Sequence, residues 1–169
     1  MVIIKFLLLS SVFGTISLIG VKIASRYSVR AFNLKQIKKA LNMFESKILY
    51  SNETIPNVFL DISKRIDGDV GRLFFEMSQR MQLEFAGEAW ENGIDESSLI
   101  FTNEDKEALK TLGKLLGTTD LDGQIKQLNL VNIFLDEQIK EAIEQKNKNE
   151  KMYKKLGIIV GLAVVIVLV

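Results

Sequence analysis

The chain has 169 residues, with 22 Lys and Arg against 21 Asp and Glu, a formal net charge of +1, and neither cysteine nor histidine. Those two absences leave no means of forming a disulfide, a thiol nucleophile, an imidazole base or an ordinary zinc site. The near-neutral total hides a segregation of charge: no acidic residue precedes Glu45, whereas Glu45 to Gln145 holds 20 acidic and 10 basic residues.

The chain opens on an apolar run. Phe6 to Val21 carries no charge, and counted from Val2 past Lys22 the stretch reaches the ~20 residues needed to cross a ~30 Å hydrocarbon core. We expect an N-terminal transmembrane helix over residues 1–24. A secretory signal peptide is the rival reading, since Lys5 precedes the apolar residues. It is disfavoured because no small-x-small cleavage site stands before Lys22 and the stretch is long. Ser10, Gly14 and Ser17 give this segment a small-residue side on which another helix can pack.

From about Ala24 the periodicity predicts a helix running straight on. Ile37, Leu41, Phe44 and Ile48 recur on one face, and Ser51-Asn52-Glu53 breaks the pattern after Tyr50. Thr54 is a candidate N-cap for a second helix, with Pro56 in its first turn and Val58, Phe59, Ile62 and Ile66 inward, stopping at Asp67-Gly68-Asp69. A third helix carries Val70, Leu73, Phe74, Met77 and Met81 and runs toward Phe85. Next comes a short segment, Ala86 to Gly93, in which Gly93 is placed to end the helix and Trp90 to anchor the core. Thr102 or Asn103 caps a further helix with Leu109, Leu112, Leu115 and Leu116 inward. Gly117 is its expected terminator, and Gly113 marks a close approach by a neighbour.

From about Asp120 the apolar stripe of Ile125, Leu128, Leu135, Ile139 and Ala142 fades into Glu, Gln, Lys and Asn up to Lys155. The stripe is too short for a sustained coiled-coil seam, so we expect a polar stalk helix leaving the core. Leu156 to Val169 is again uncharged. As a helix it would be only ~21 Å long, short for a full crossing, so it is expected as a transmembrane or membrane-inserted segment. Gly157 and Gly161 form a G-x-x-x-G there. No stretch alternates as a strand would. The expected fold class is therefore all-α: a membrane-anchored cytoplasmic bundle of about six helices over residues 25–155, flanked by the two membrane segments.

Basic residues crowd the inner side of each apolar run: Lys22, Arg26, Arg30, Lys35, Lys38 and Lys39 after the first, Lys146, Lys148, Lys151, Lys154 and Lys155 before the second. By the positive-inside rule this collar puts the middle of the chain in the cytoplasm, with both termini toward the opposite face. It favours anionic lipids. The acidic body suits a basic partner surface and argues against nucleic acid as a partner. No G-x-S-x-G, phosphate-binding loop or calcium loop occurs, so no catalytic residue, metal site, cofactor or small-molecule substrate is expected. The carboxylate pairs Glu104-Asp105 and Asp120, Asp122 lie where helices start, where negative charge is favourable by itself.

The order of these features resembles a known family. Ala24-Ser-Arg26-Tyr27-Ser28-x-Arg30 follows the apolar start, then come a Leu34…Leu41…Glu45…Ile48…Tyr50 helix and Ala89-Trp90-x-x-Gly93. Leu112-Gly113-x-x-Leu116-Gly117-x-x-Asp120 and a long charged helix into Leu156-Gly157 complete the order. This succession looks like the stage III sporulation protein AB family of endospore-forming bacteria. The chain departs from the family pattern at Ala31-Phe32, where Arg-Pro is common, and at the polar loop Ser51 to Asn57. The resemblance implies a non-catalytic subunit of the channel complex between mother cell and forespore. It also implies a body similar to the platform protein of type II secretion and type IV pilus systems. On that likeness the body docks a secretion-type ATPase similar to stage III sporulation protein AA and meets other membrane subunits of the complex, at the mother-cell membrane around the forespore.

Three functions follow from these readings. The first is the platform subunit; the second is a general membrane-tethered helical adaptor or membrane-shaping protein; the third, an enzyme acting at the membrane, has no residue constellation to support it.

Overall fold

The computed structural model describes residues 2–51, 53–114, 116–117 and 120–168. Among them are six helices and no strand: α1 (Val2–Tyr50), α2 (Ile55–Arg65), α3 (Gly68–Arg80), α4 (Ala86–Glu96), α5 (Asn103–Gly113) and α6 (Leu121–Leu168). The fold is an all-α bundle, as the periodicity predicts. The apolar runs are the ends of α1 and α6, in keeping with the expected helix that runs straight on from about Ala24. No proline interrupts either junction, and the backbone hydrogen bonding continues through Ala24 and Lys155. Among the described residues no helix is long and apolar enough to cross a membrane, so the flanking transmembrane helices expected from the sequence are not supported by the structure.

Two compact units share these helices. One comprises Met1–Ala31 with Glu141–Val169; the other is Phe32–Lys140.

In the Phe32–Lys140 unit each helix turns an apolar stripe inward. Leu34, Ile37, Leu41 and Phe44 of α1, Val58, Phe59 and Ile62 of α2, and Leu73, Phe74 and Met77 of α3 are all buried. So are Ala89, Trp90 and Ile94 of α4, Leu109 and Leu112 of α5, and Leu128, Val131 and Leu135 of α6. Ile48, expected on the same face of α1, is only half-buried. Phe59 is the hub of an aromatic cluster: its ring centroid lies 5.3 Å from Phe44, 5.0 Å from Phe74 and 5.9 Å from Trp90, and Phe74 and Trp90 are also 5.9 Å apart. The pairs with Phe44 and Trp90 are edge-on, the arrangement the ring quadrupoles favour, worth about 0.5–1.5 kcal/mol each beyond burial.

The helix ends show which local signals prevailed. Thr54 sits at the N-cap of α2 with Pro56 in the first turn, but its side chain makes no capping bond. Thr102 does cap α5: its hydroxyl accepts from the Asp105 N–H at 3.2 Å while the Thr102 N–H donates to the Asp105 carboxylate at 2.8 Å. This reciprocal box satisfies two donors that the helix start would otherwise leave open. Asp120 performs a similar task for α6, accepting from the Gly123 N–H at 3.0 Å.

Three expected boundaries are corrected. The third helix stops at Arg80 rather than running toward Phe85, because the Gln82 and Leu83 N–H groups bond three residues back, to Gln79 and Arg80, and tighten the chain into turns. Gly93 does not end its helix; α4 continues to Glu96, and Gly93 leaves room for Met77, whose Cγ and Cε would lie 2.7 Å from an added Cβ. The fifth helix ends at Gly113, four residues before Gly117. Gly117 follows at φ +75°, in the left-handed region that glycine occupies without strain. Leu115, expected inward, lies outside the described residues.

Candidate functional site

Two features of the Phe32–Lys140 unit are built to do more than fill space: the α4·α5 contact, which holds the Trp90 motif, and a basic groove along α1.

The first brings the motif residues together. Ala89 and Trp90 are fully buried, Gly93 is buried, and Leu112, Gly113 and Leu116 are buried opposite them. The indole N–H of Trp90 donates to the Leu109 carbonyl at 2.6 Å, which fixes the ring against α5 and satisfies the buried indole donor. Backbone meets backbone beside it. A Cβ on Gly87 would lie 2.3 Å from the Gly113 carbonyl oxygen, and one on Gly113 would lie 2.9 Å from Trp90 Cδ1 and Glu91 Cγ. The close approach expected at Gly113 is therefore present, and its counterpart is Gly87, which the spacing of apolar residues does not reveal. Gly117 and Asp120 are exposed, the one in a turn and the other at the start of α6. The arrangement holds α4 and α5 together around a fully buried Trp90.

The groove, of about 860 Å³, follows one stripe of α1 at three- and four-residue spacing from Lys35 to Tyr50, with Arg65 of α2 and Asp136 and Ile139 of α6 completing its walls. It holds five of the thirteen basic residues of Phe32–Lys140 and one of the eighteen acidic ones. Lys38 is paired with Asp136. At the α2 end, Lys47 reaches Glu53 at 2.9 Å and Asp61 at 3.0 Å, and Arg65 reaches the same Asp61 at 3.1 Å. Donation to the Glu53 and Asp61 carboxylates holds the Lys47 ammonium above its ordinary range. The bond from Lys47, with the charge of Arg65 beside it, holds the Asp61 carboxyl below its own. Lys35 and Lys39 are exposed, and among the described residues neither has an ion-pair or hydrogen-bond partner.

The expected membrane collar is thus divided between the units. Lys35, Lys38 and Lys39 line the groove. In the other unit Lys22, Arg26, Lys148, Lys151 and Lys155 are exposed and Lys146 is half-buried. Arg30 is buried, 5% exposed, and donates to the Gln145 side-chain oxygen at 3.3 Å. Lys154 and the packing positions Ser10, Gly14, Ser17, Gly157 and Gly161 lie within α1 and α6, but their side-chain surroundings lie outside what the structure describes. Among the described residues no group of three or more acidic side chains is placed to hold a metal ion. Sequence reasoning missed Lys47 and Arg65, since both sit within the acidic body; only the i, i+4, i+8, i+12 recurrence of Lys35, Lys39, Met43 and Lys47 hints at the stripe.

Comparison with known proteins agrees with this architecture. A solved structure of stage III sporulation protein AB matches with a TM-score of 0.67, covering 71% of this chain and 98% of that one at 24% identity, a level that speaks for the fold. Stage III sporulation protein AB of Bacillus subtilis (strain 168) is 29% identical over 153 residues, which cover 88% of this chain and 90% of the relative. The family model described as stage III sporulation protein AB matches residues 5–169. The chain belongs to the stage III sporulation protein AB family.

Proposed function

We propose that this protein is a non-catalytic, membrane-held platform subunit of the sporulation channel complex between mother cell and forespore, and that its helical body docks a secretion-type ATPase. The observation that carries the reading is the family match over residues 5–169, which takes in both apolar runs together with the bundle between them. The uncharged stretches Phe6 to Val21 and Leu156 to Val169, each with basic residues on its inner side, are the elements that would hold the chain at an anionic bilayer with its body in the cytoplasm. The surplus of acidic residues over Glu45 to Gln145 gives the body a charge that a basic face on the ATPase would complement.

The test is co-purification. The full chain, extracted in mild detergent from cells that also express a secretion-type ATPase similar to stage III sporulation protein AA, is expected to retain it, and deletion of the gene is expected to arrest sporulation after engulfment. A chain that retains no ATPase with the other membrane subunits present, in a strain that completes sporulation without the gene, contradicts the reading. Strong binding to anionic vesicles without any complex-specific partner would favour a general membrane-tethered adaptor instead.

A further inference from the structure

The groove along α1 differs in charge from everything around it. Outside its walls, Phe32–Lys140 has seventeen acidic and eight basic residues; within them the ratio is one acidic to five basic. We propose that this groove is a docking site for an acidic, amphipathic segment of a partner protein, a surface separate from the acidic one assigned to the ATPase.

Three properties select that occupant. The stripe from Lys35 to Tyr50 spans fifteen residue steps, roughly 22 Å of helix at 1.5 Å per residue, which accommodates about four turns of a second helix and exceeds what a single phosphate headgroup can engage. Its cations are unequally committed. Lys47 and Arg65 are held by Glu53 and Asp61, and Lys38 by Asp136, whereas Lys35 and Lys39 are exposed and have no partner among the described residues. Charge therefore remains for incoming carboxylates at the Lys35 end. Finally, the walls include apolar surface: Met43 and Ile139 are half-buried, and Tyr50 is 87% exposed at the far end, an aromatic available to be covered. An acidic helix with an apolar stripe would satisfy both features at once. The proposal goes beyond the platform reading and does not depend on the ATPase.

The experiment uses the full chain in nanodiscs of zwitterionic lipid and a fluorescent synthetic peptide of about five helical turns, with Glu on one face and Leu and Met on the other. Its control has Gln in place of Glu. Fluorescence anisotropy is expected to show salt-sensitive binding of the Glu peptide only. The double change Lys35→Glu with Lys39→Glu is expected to weaken it roughly tenfold. Lys64→Glu with Lys126→Glu alters net charge equally at exposed positions outside the groove and is expected to change it less than about twofold. Lys35→Gln with Lys39→Gln serves if the reversal disturbs folding, as judged by circular dichroism. Absence of peptide binding, or equal losses from the two double reversals, overturns the proposal. So does a groove reversal that abolishes binding to phosphatidylglycerol vesicles while leaving peptide binding unchanged, since the ligand would then be lipid.

Discussion

Residues 32–140 and the unit of 1–31 with 141–169 differ in what holds them. The first buries an aromatic cluster of Phe44, Phe59, Phe74 and Trp90 inside aliphatic stripes from all six helices. Among the described side chains of the second, only Arg30, Ala31 and Ala142 are buried, and Arg30 bonds across to Gln145 at 3.3 Å. The bundle thus has its own apolar core in water. Among the described side chains of the second unit Leu156, Ile159 and Val160 are exposed, apolar surface that a bilayer would cover under the proposed function. Nearly all of the described buried apolar side chains of this chain therefore belong to residues 32–140.

The largest expected effect breaks the bundle alone. Trp90→Ala removes the most voluminous buried side chain and the bond to Leu109, and should cost about 3–5 kcal/mol. Guanidinium unfolding followed by far-UV circular dichroism reads it, since Trp90 is the only tryptophan. Retention of the chain on membranes should be less affected than bundle stability.

Gly87→Ala comes next, at about 1–3 kcal/mol, because its Cβ would meet backbone, the Gly113 carbonyl oxygen, at 2.3 Å. Gly93→Ala should cost less: the obstacle there is the flexible Met77 side chain. A reversed order of these two midpoints would show that the α4·α5 backbone contact is looser than described.

Thr102→Ala, which opens the capping box of α5, should cost about 1 kcal/mol in the same assay.

The smallest effects are electrostatic. Lys47 and, less strongly, Arg65 depress Asp61, and Arg80 depresses Glu96. Carboxylates stabilised in the folded state contribute stability above their unfolded pKa and lose it as pH falls through the lower folded value. Lys47 and Lys110, both raised, contribute below their ordinary range and lose that contribution as pH rises through the higher folded values. Asp61→Asn should flatten the acid limb of the stability profile, and high salt should shrink the difference from the parent chain, because these groups are largely solvated.

Much of the bundle was legible in the sequence because apolar spacing sets which helix face is buried: Ile37, Phe59, Phe74, Leu109 and Leu128 all follow a 3.6-residue period. The Thr102 cap was legible for the same local reason. Glycine was the weak point. As a residue it signals either a helix end or a close contact, and only the neighbour decides which: Gly93 faces Met77 inside a helix, whereas Gly117 adopts a positive φ after one. The groove was half visible. Lys35, Lys38 and Lys39 stand out beside an apolar run and so read as part of a membrane collar. Their association with Lys47 and Arg65 depends on the return of α6 and the end of α2 beside α1, tertiary contacts that no local pattern encodes.

The proposed function rests on a helical body held at a bilayer by the ends of α1 and α6, and alkaline carbonate extraction of membranes from sporulating cells tests it most directly. The account predicts that the full chain stays in the membrane pellet with integral proteins. Its release into the supernatant with peripheral proteins would contradict it.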